Sequence, residues 1–292
     1  MNGILLVDKE QDWTSSDVVA KLRGVLHEKR IGHAGTLDPM ATGLLVLFVG
    51  RATRAAEYAS SHEKRYLAEL RLGLTTDTQD IWGTPLRRER ASVGEEELRA
   101  VLRRFTGEIE QIPPMYSAVK HHGRKLYEIA RRGGEVEREP RPVRIDALEL
   151  LGGEGESWRL DVRCSKGTYI RTLCHDIGRA LGCGACMSAL RRVEHGQYAV
   201  SAAHTVSEIE AAAEMGSAEE LLLPVDSLFS EYPPTTVSGE AERRIRCGAE
   251  ADAPGVPDGL LRLYAEDGAF LALARAENER LRTEKSFFEV QG

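Results

Sequence analysis

Hydrophobic and polar positions along the chain change period several times. A short apolar run from Gly3 to Val7 ends in Asp8-Lys9, and Ser15-Ser16-Asp17 then offers an N-cap ahead of Val18, Val19, Leu22 and Val25 at helical spacing. The opening therefore reads strand, turn, helix. Gly43 to Val49 reads as a buried strand, while Arg65 to Leu72 alternates, with Tyr66, Ala68, Leu70 and Leu72 sharing one face. Ser92-Val93-Gly94-Glu95 reads as a capping box for a helix through Leu98, Val101, Leu102 and Phe105. Ile145 to Leu151 and Ser157 to Cys164 read as strands joined by a Gly-rich turn, Tyr169 to Leu181 as a helix, and the Ala/Glu-rich Ala202 to Leu223 as helical. Beyond Tyr232-Pro233-Pro234 the short apolar stretches Leu260 to Tyr264, Gly268 to Ala274 and Ser286 to Val290 suggest a small β module. Without a regular βαβ rhythm, this order predicts an α+β fold with flanking helices on a mixed, largely antiparallel central sheet, divided into a unit over 1–230 and a tail over 231–292.

Composition adds a globular chain of 292 residues, 42% hydrophobic and 29% charged. No apolar run approaches the roughly 18 to 20 residues of a membrane helix, and the N-terminus lacks a basic region before its apolar stretch, so the expectation is a cytoplasmic protein. The net charge of −7 argues against a nucleic-acid partner, but it is unevenly spread. Residues 1–200 carry 31 Lys+Arg against 28 Asp+Glu, whereas residues 201–292 carry 8 against 18. Between Met115 and Arg144, eight basic residues (Lys120, Arg124, Lys125, Arg131, Arg132, Arg138, Arg141, Arg144) face four glutamates, with His121, His122, Tyr116 and Tyr127 interleaved. That mixture suits an RNA backbone and unstacked bases. It equally suits a solvated helix whose cations pair with Glu at helical spacing, and the residues alone leave both open. The five cysteines, Cys164, Cys174, Cys183, Cys186 and Cys247, include a C-x-x-C at Cys183 and Cys186. With no second such pair, and with Cys174 in register with Ile170, Leu173, Ile177 and Leu181, buried thiols are favoured over a zinc site.

The most unusual segment is Gly32-His33-Ala34-Gly35-Thr36-Leu37-Asp38-Pro39-Met40-Ala41-Thr42-Gly43. Its glycine spacing fits neither nucleotide-binding fingerprint. Asp38 precedes Pro39, which biases it away from helical geometry and sets a carboxylate on a stiff turn; taken alone, an Asp-Pro is a turn or cap residue.

In company it is more. The stretch from Gly32 to Leu45 closely resembles the catalytic motif of the TruB-type pseudouridine synthases, bacterial free-standing type. Asp8-Lys9 with Thr14-Ser15-Ser16-Asp17, Lys64-Arg65-Tyr66, Gln111 to Ala118, Cys164 to Leu173 around Arg171, and Gly184 to Arg192 match further family segments in order, covering residues 3 to about 200. The resemblance implies the pseudouridine synthase fold and isomerisation of uridine 55 in the tRNA T-loop without cofactor or metal. Asp38 would be the nucleophile, attacking C1′ or C6 of a flipped-out uridine while the glycosidic bond breaks and the uracil rejoins through C5. Arg171 would pair with Asp38, and Tyr66 would stack on the base and help remove the C5 proton. His33 would fill the vacated position or brace the loop, Tyr169 and Leu190 would line the base pocket, and Lys9 would support the catalytic loop. The segment about 115–144, with Lys120, Arg124, Lys125, Arg131 and Arg132, corresponds to the family's RNA-clamping insertion, and 231–292 lies where relatives carry a small β-barrel RNA-binding module of the PUA type.

The resemblance further implies a monomer that needs no protein partner. A tRNA-binding or tRNA-folding protein with an idle catalytic motif is a separate reading, and a guide-RNA-dependent synthase a narrower one. Two features depart from the family's pattern. Asp8-Lys9-Glu10-Gln11-Asp12 lacks the usual Pro and Gly of Asp-Lys-Pro-x-Gly, which leaves the turn geometry in question. The tail is acidic, leaving Arg243, Arg244, Arg246 and Arg275 as its candidate phosphate contacts.

Overall fold

The computed structural model describes residues 1–288. In chain order its main elements are β1 (Gly3–Lys9), α1 (Ser15–Val25), β2 (Ile31–Ala34), β3 (Thr42–Val49), α2 (Ala56–Ser60), β4 (Lys64–Leu72), β5 (Leu74–Thr76), β6 (Pro85–Arg88), α3 (Glu95–Leu102), β7 (Gly107–Gln111), β8 (Lys120–His121), β9 (Arg124–Lys125), α4 (Leu126–Ala130), β10 (Arg141–Glu154), β11 (Ser157–Cys164), α5 (Ile170–Ala180), β12 (Ala185–His195), β13 (Tyr198–Ala199), α6 (Val206–Glu214), β14 (Pro234–Val237), α7 (Gly239–Arg246), β15 (Ala251–Asp252), β16 (Gly259–Ala265), β17 (Phe270–Glu277) and β18 (Arg280–Ser286).

Among the described residues, a nine-stranded sheet runs β1-β3-β12-β4-β11-β10-β7, with β2 on β3 and β13 on β12. Every pairing in it is antiparallel except β3 with β12, joined at Arg191↔Thr42 and Arg192↔Gly43. The fold is thus the expected α+β one. Both faces of β1 and β3 are covered, which is why they read as unbroken apolar runs. Leu5, Val7, Leu45 and Leu47 pack with residues of α1, α3, α5 and α6. Ile4, Leu6, Leu44, Val46 and Phe48 pack on the opposite side with Phe229, Leu273 and Phe287. The C-terminal strands form a curled five-stranded half-barrel sheet, β14-β16-β17-β18-β15, around its own core of Leu261, Leu263, Leu271 and Leu281. Phe229, Phe270 and Phe287 seat this sheet against the larger one.

Several local expectations are corrected. Thr14, not Ser15 to Asp17, caps α1, because its hydroxyl accepts from the Asp17 N–H while Asp17 bonds back; Ser15 is instead buried and used elsewhere. Gly94 caps α3 without any side-chain bond, so Ser92 opens no capping box. The last strand is Arg280–Ser286 rather than Ser286 to Val290, part of which lies outside the described residues. In this strand Leu281 is the single residue that is both apolar and buried, so it carries no apolar run to read.

Candidate active site

Asp38 projects from the turn between β2 and β3, where the central sheet switches to parallel pairing. The Ala41 N–H donates to the Asp38 carbonyl at 3.0 Å, closing a turn over Pro39 and Met40. Three neighbours fix this turn from the N-terminal strand and its exit. Ser15 Oγ accepts from the Leu37 N–H at 2.9 Å and donates to the Leu37 carbonyl at 3.2 Å. The Asp12 N–H donates to the Pro39 carbonyl at 3.0 Å. Lys9 is completely buried and spends its three ammonium protons on the carbonyls of Glu10, Trp13 and Pro39 at 2.8, 2.7 and 3.3 Å. Burial pulls the Lys9 pKa down to about 8, opposed by the nearby Asp38 charge. Asp12 stands at φ 71°, the left-handed conformation that glycine would adopt freely, so the turn forms without the family's glycine.

The β3–β12 junction needs Gly43. A Cβ there would sit 2.3 Å from the Arg192 carbonyl oxygen, at φ 96°. Arg192 lies buried under the loop, donating from Nε to the Leu44 carbonyl at 2.6 Å and from Nη2 to the Gly35 carbonyl at 2.9 Å. No sequence argument gave Arg192 a role, although it ends the matched segment from Gly184.

Arg171, 5% exposed, reaches Asp38, whose side chain is 36% exposed, with Nε to Oδ2 at 2.8 Å and Nη2 to Oδ1 at 3.3 Å. Two of its three remaining protons go to the Thr78 carbonyl (Nη1, 2.9 Å) and the Tyr116 carbonyl (Nη2, 2.8 Å), and Asp80 Oδ2 lies 3.7 Å from Nη1. Burial raises the Asp80 pKa, partly offset by its Thr78 bond and by Arg171. Tyr66, on β4, is buried in the same core as Leu37, Met40 and Leu190. Burial pushes its phenol above the ordinary value even with the Arg192 guanidinium beside it, so the phenol stays protonated near neutral pH. Leu190 pairs across the strands with Ala68, two register steps from the Arg192–Tyr66 pair. Tyr169 precedes α5, and buried Gln111 clamps its backbone, accepting from its N–H at 2.9 Å and donating to its carbonyl at 3.2 Å. His33 is half-buried on β2 with Nδ1 unpartnered, and burial holds its pKa down. Gln111 and Asp80 are further residues that sequence reasoning left without a role, and Ser15 was read only as a cap. Gln111 and Ser15 are buried polar groups, and only their buried positions reveal what they hold.

The 115–144 segment departs from the site at Tyr116. Its tip is the β8–β9 hairpin, turned through His122 and Gly123 at positive φ, followed by α4. Arg138 pairs with Glu135, and Arg144 with Glu63 and Asp146. Among the described residues Lys120, Arg124, Lys125, Arg131, Arg132 and Arg141 form no ion pair, and Lys125 and Arg131 lie over the Tyr127 ring. The helix-pairing alternative therefore accounts for little of this charge. In the tail the reverse holds: Arg243, Arg246 and Arg275 pair with Glu240, Glu242 and Glu284, and Arg244 donates to the Glu250 carbonyl. Cys164, Cys174 and Cys186 are buried, and burial raises each thiol. Among the described residues no group of three or more His, Cys, Asp or Glu could hold a metal ion.

Comparison with known proteins agrees with this geometry. Residues 23–170 match the TruB family pseudouridylate synthase (N terminal domain), and residues 171–230 match the tRNA pseudouridylate synthase B C-terminal domain. The chain is 43% identical over 291 residues to tRNA pseudouridine synthase B of Thiobacillus denitrificans, covering 100% of this chain and 97% of that one. It is 46% identical over 266 residues to the protein of the same name from Dechloromonas aromatica, covering 91% and 89%. Among solved structures, a Cbf5-Nop10-Gar1 complex contains a chain that matches with a TM-score of 0.74 at 26% identity, covering 99% of this chain and 85% of that one. No helix among the described residues is long and apolar enough to cross a membrane. With matches spanning its whole length, and with the motif carboxylate and arginine joined at the sheet's parallel junction, the chain belongs to the TruB family of pseudouridylate synthases.

Proposed function

We propose that this chain converts uridine to pseudouridine in tRNA, at position 55 of the T-loop, with Asp38 as nucleophile. The observation that carries the reading is the Arg171 grip on a partly exposed Asp38. A carboxylate that must attack and later leave has to be aimed, and a side-on guanidinium that is itself fixed by two carbonyls aims it. The uridine leaves its stack to reach Asp38. Tyr66 offers the base an aromatic face, with Leu190 and Tyr169 beside it, and His33 braces the loop. Asp38 forms a transient bond to the nucleoside as the N1 glycosidic bond breaks, the uracil turns, C5 rejoins the sugar and the Asp38 bond is released; C5 gives up its proton and N1 takes one up, so the product is an isomer of the substrate. Lys120, Arg124, Lys125, Arg131 and Arg132 hold the T-arm backbone across the entrance.

The test is incubation with an unmodified tRNA transcript, followed by mapping of pseudouridine. Product at position 55 from the wild-type protein, and none from Asp38→Asn at comparable tRNA affinity, is the expected result. Equal activity in the two proteins excludes Asp38 as nucleophile. Binding without product from the wild type would instead favour a tRNA-folding protein.

A further inference from the structure

Arg171 is bracketed by two segments. Tyr116 at the root of the basic segment accepts from one side of the guanidinium, and Thr78, between β5 and β6, accepts from the other. The second segment, residues 74–90, serves the function proposed above only by holding Arg171 through Thr78, yet its surface is unusual. Eight large apolar side chains are exposed among the described residues, and three of them, Ile81 (39%), Trp82 (50%) and Leu86 (69%), lie within six positions here. Single exposed apolar residues are ordinary, but a cluster marks a contact surface. The Trp82 ring has no aromatic or cationic neighbour among the described residues. Ile81, next to it in the chain, lines a groove of about 500 Å³ together with Arg88 and Arg90. There Glu89 and Glu156 are taken up by Arg87 and Arg71, and Glu69 is the carboxylate left without an ion pair among the described residues, as are Arg88 and Arg90 among the arginines.

This loop is rigid and close to the chemistry. Thr76 Oγ1 donates to the Asp80 carbonyl at 2.6 Å, the Thr84 N–H donates to Asp77 Oδ1 at 2.7 Å, and the Ile81 N–H donates to the Met187 carbonyl at 2.8 Å. The Trp82 N–H donates to Asp80 Oδ1 at 3.1 Å, and the other oxygen of that carboxylate faces the guanidinium that holds Asp38. An exposed indole on an anchored loop, with unpaired arginines in the groove that its neighbour Ile81 lines, is a combination suited to single-stranded nucleic acid: a stacking surface, and cations for phosphates farther along the strand. We propose that residues 74–90 form a second RNA-contacting arm, in which Trp82 stacks on an unpaired base near the one delivered to Asp38 and Arg88 and Arg90 meet phosphates farther along the strand. This rests on the RNA reading of the site and adds a contact on the side of Arg171 away from the basic segment.

Of the three tryptophans, Trp158 is buried and Trp13 packs against the core, so Trp82 is the exposed fluorophore. Titrating Asp38→Asn protein with the unmodified tRNA transcript is expected to quench its emission. In the same background Trp82→Phe should abolish the quench while holding Kd within about threefold, because a phenyl ring still stacks. Trp82→Ala should raise Kd about five- to a hundredfold. In the otherwise wild-type protein, Trp82→Ala should raise KM more than it lowers kcat. Unchanged emission at saturating tRNA, or an unchanged Kd in Trp82→Ala, overturns the proposal. Failure of the catalytic reading looks different: the wild type then forms no pseudouridine while the quench, read without turnover, persists.

Discussion

Arg171 meets Asp38 through Nε and Nη2, the two protons of one guanidinium edge, while two of its three other protons are committed to the Thr78 and Tyr116 carbonyls. Lysine has the charge but not the fork, so it cannot satisfy one carboxylate side-on and two carbonyls at fixed angles. Arg171→Lys is therefore expected to slow single-turnover pseudouridine formation by about a hundredfold or more through misplacement of Asp38, with tRNA Kd changed only a few-fold. Arg171→Ala should also destabilise the fold by about 3 kcal/mol or more, because the group is almost wholly buried. Single-turnover rates with parallel filter binding and urea melts decide both.

The basic segment predicts salt dependence in a protein of net negative charge. Lys120, Arg124, Arg131 and Arg132 are exposed and form no ion pair among the described residues. Each phosphate contact releases about 0.7 to 0.9 counterions on binding. Replacing Arg131 and Arg132 by Ala should therefore lower the slope of log K against log salt by between about 1.4 and 1.8 if both meet phosphates. Kd measured from about 50 to 300 mM salt tests this, and an unchanged slope would move the RNA surface elsewhere.

Two backbone positions near the site predict opposite tolerances. Asp12 occupies left-handed geometry at φ 71° and keeps its N–H on Pro39, so Asp12→Gly should leave stability within about 1 kcal/mol. Asp12→Val should cost about 1–3 kcal/mol and loosen the Asp38 turn, because a β-branched side chain resists that conformation. Gly43→Ala forces a Cβ against the Arg192 carbonyl at the β3–β12 junction, and a loss of about 3 kcal/mol or more is expected. Denaturant melts of the three variants provide the comparison.

What could be read in advance follows from where the signal lies. The alternation of β4 and the apolar runs of β1 and β3 were legible because burial on one face or two writes itself directly into residue type. Asp38, Tyr66 and Arg171 were legible by their motifs, but their roles came from resemblance, since nothing in spacing brings residue 171 to residue 38. Arg192 and Gln111 show why the rest was not. Each is a polar residue whose partners are backbone carbonyls or amides, and a backbone partner leaves no complementary residue in the sequence to find. The Thr14 cap was missed for a related reason: four consecutive cap-forming residues, Thr14 to Asp17, compete, and burial of Ser15 against Leu37 decides among them.

His195 makes acid stability the last test. It is buried on β12, its Nε2 donates to the Ala59 carbonyl at 2.8 Å, and Nδ1 has no partner. Burial, with the Arg192 and Lys64 charges nearby, drives its pKa down from 6.5 to about 2, so the folded protein keeps it neutral where the unfolded chain protonates it. The unfolded state then binds the extra proton between about pH 6.5 and 2, and stability falls as pH falls through that window, by up to about 1.4 kcal/mol per unit for this group. Burial depresses His33, His62 and His175 as well, which adds loss of the same sign. His195→Gln retains a donor for Ala59 without a protonation site. Between pH 6 and pH 4 the wild type is expected to lose about 2 kcal/mol more than this variant in urea melts. Parallel curves for the two proteins would mean that His195 is protonated in the fold.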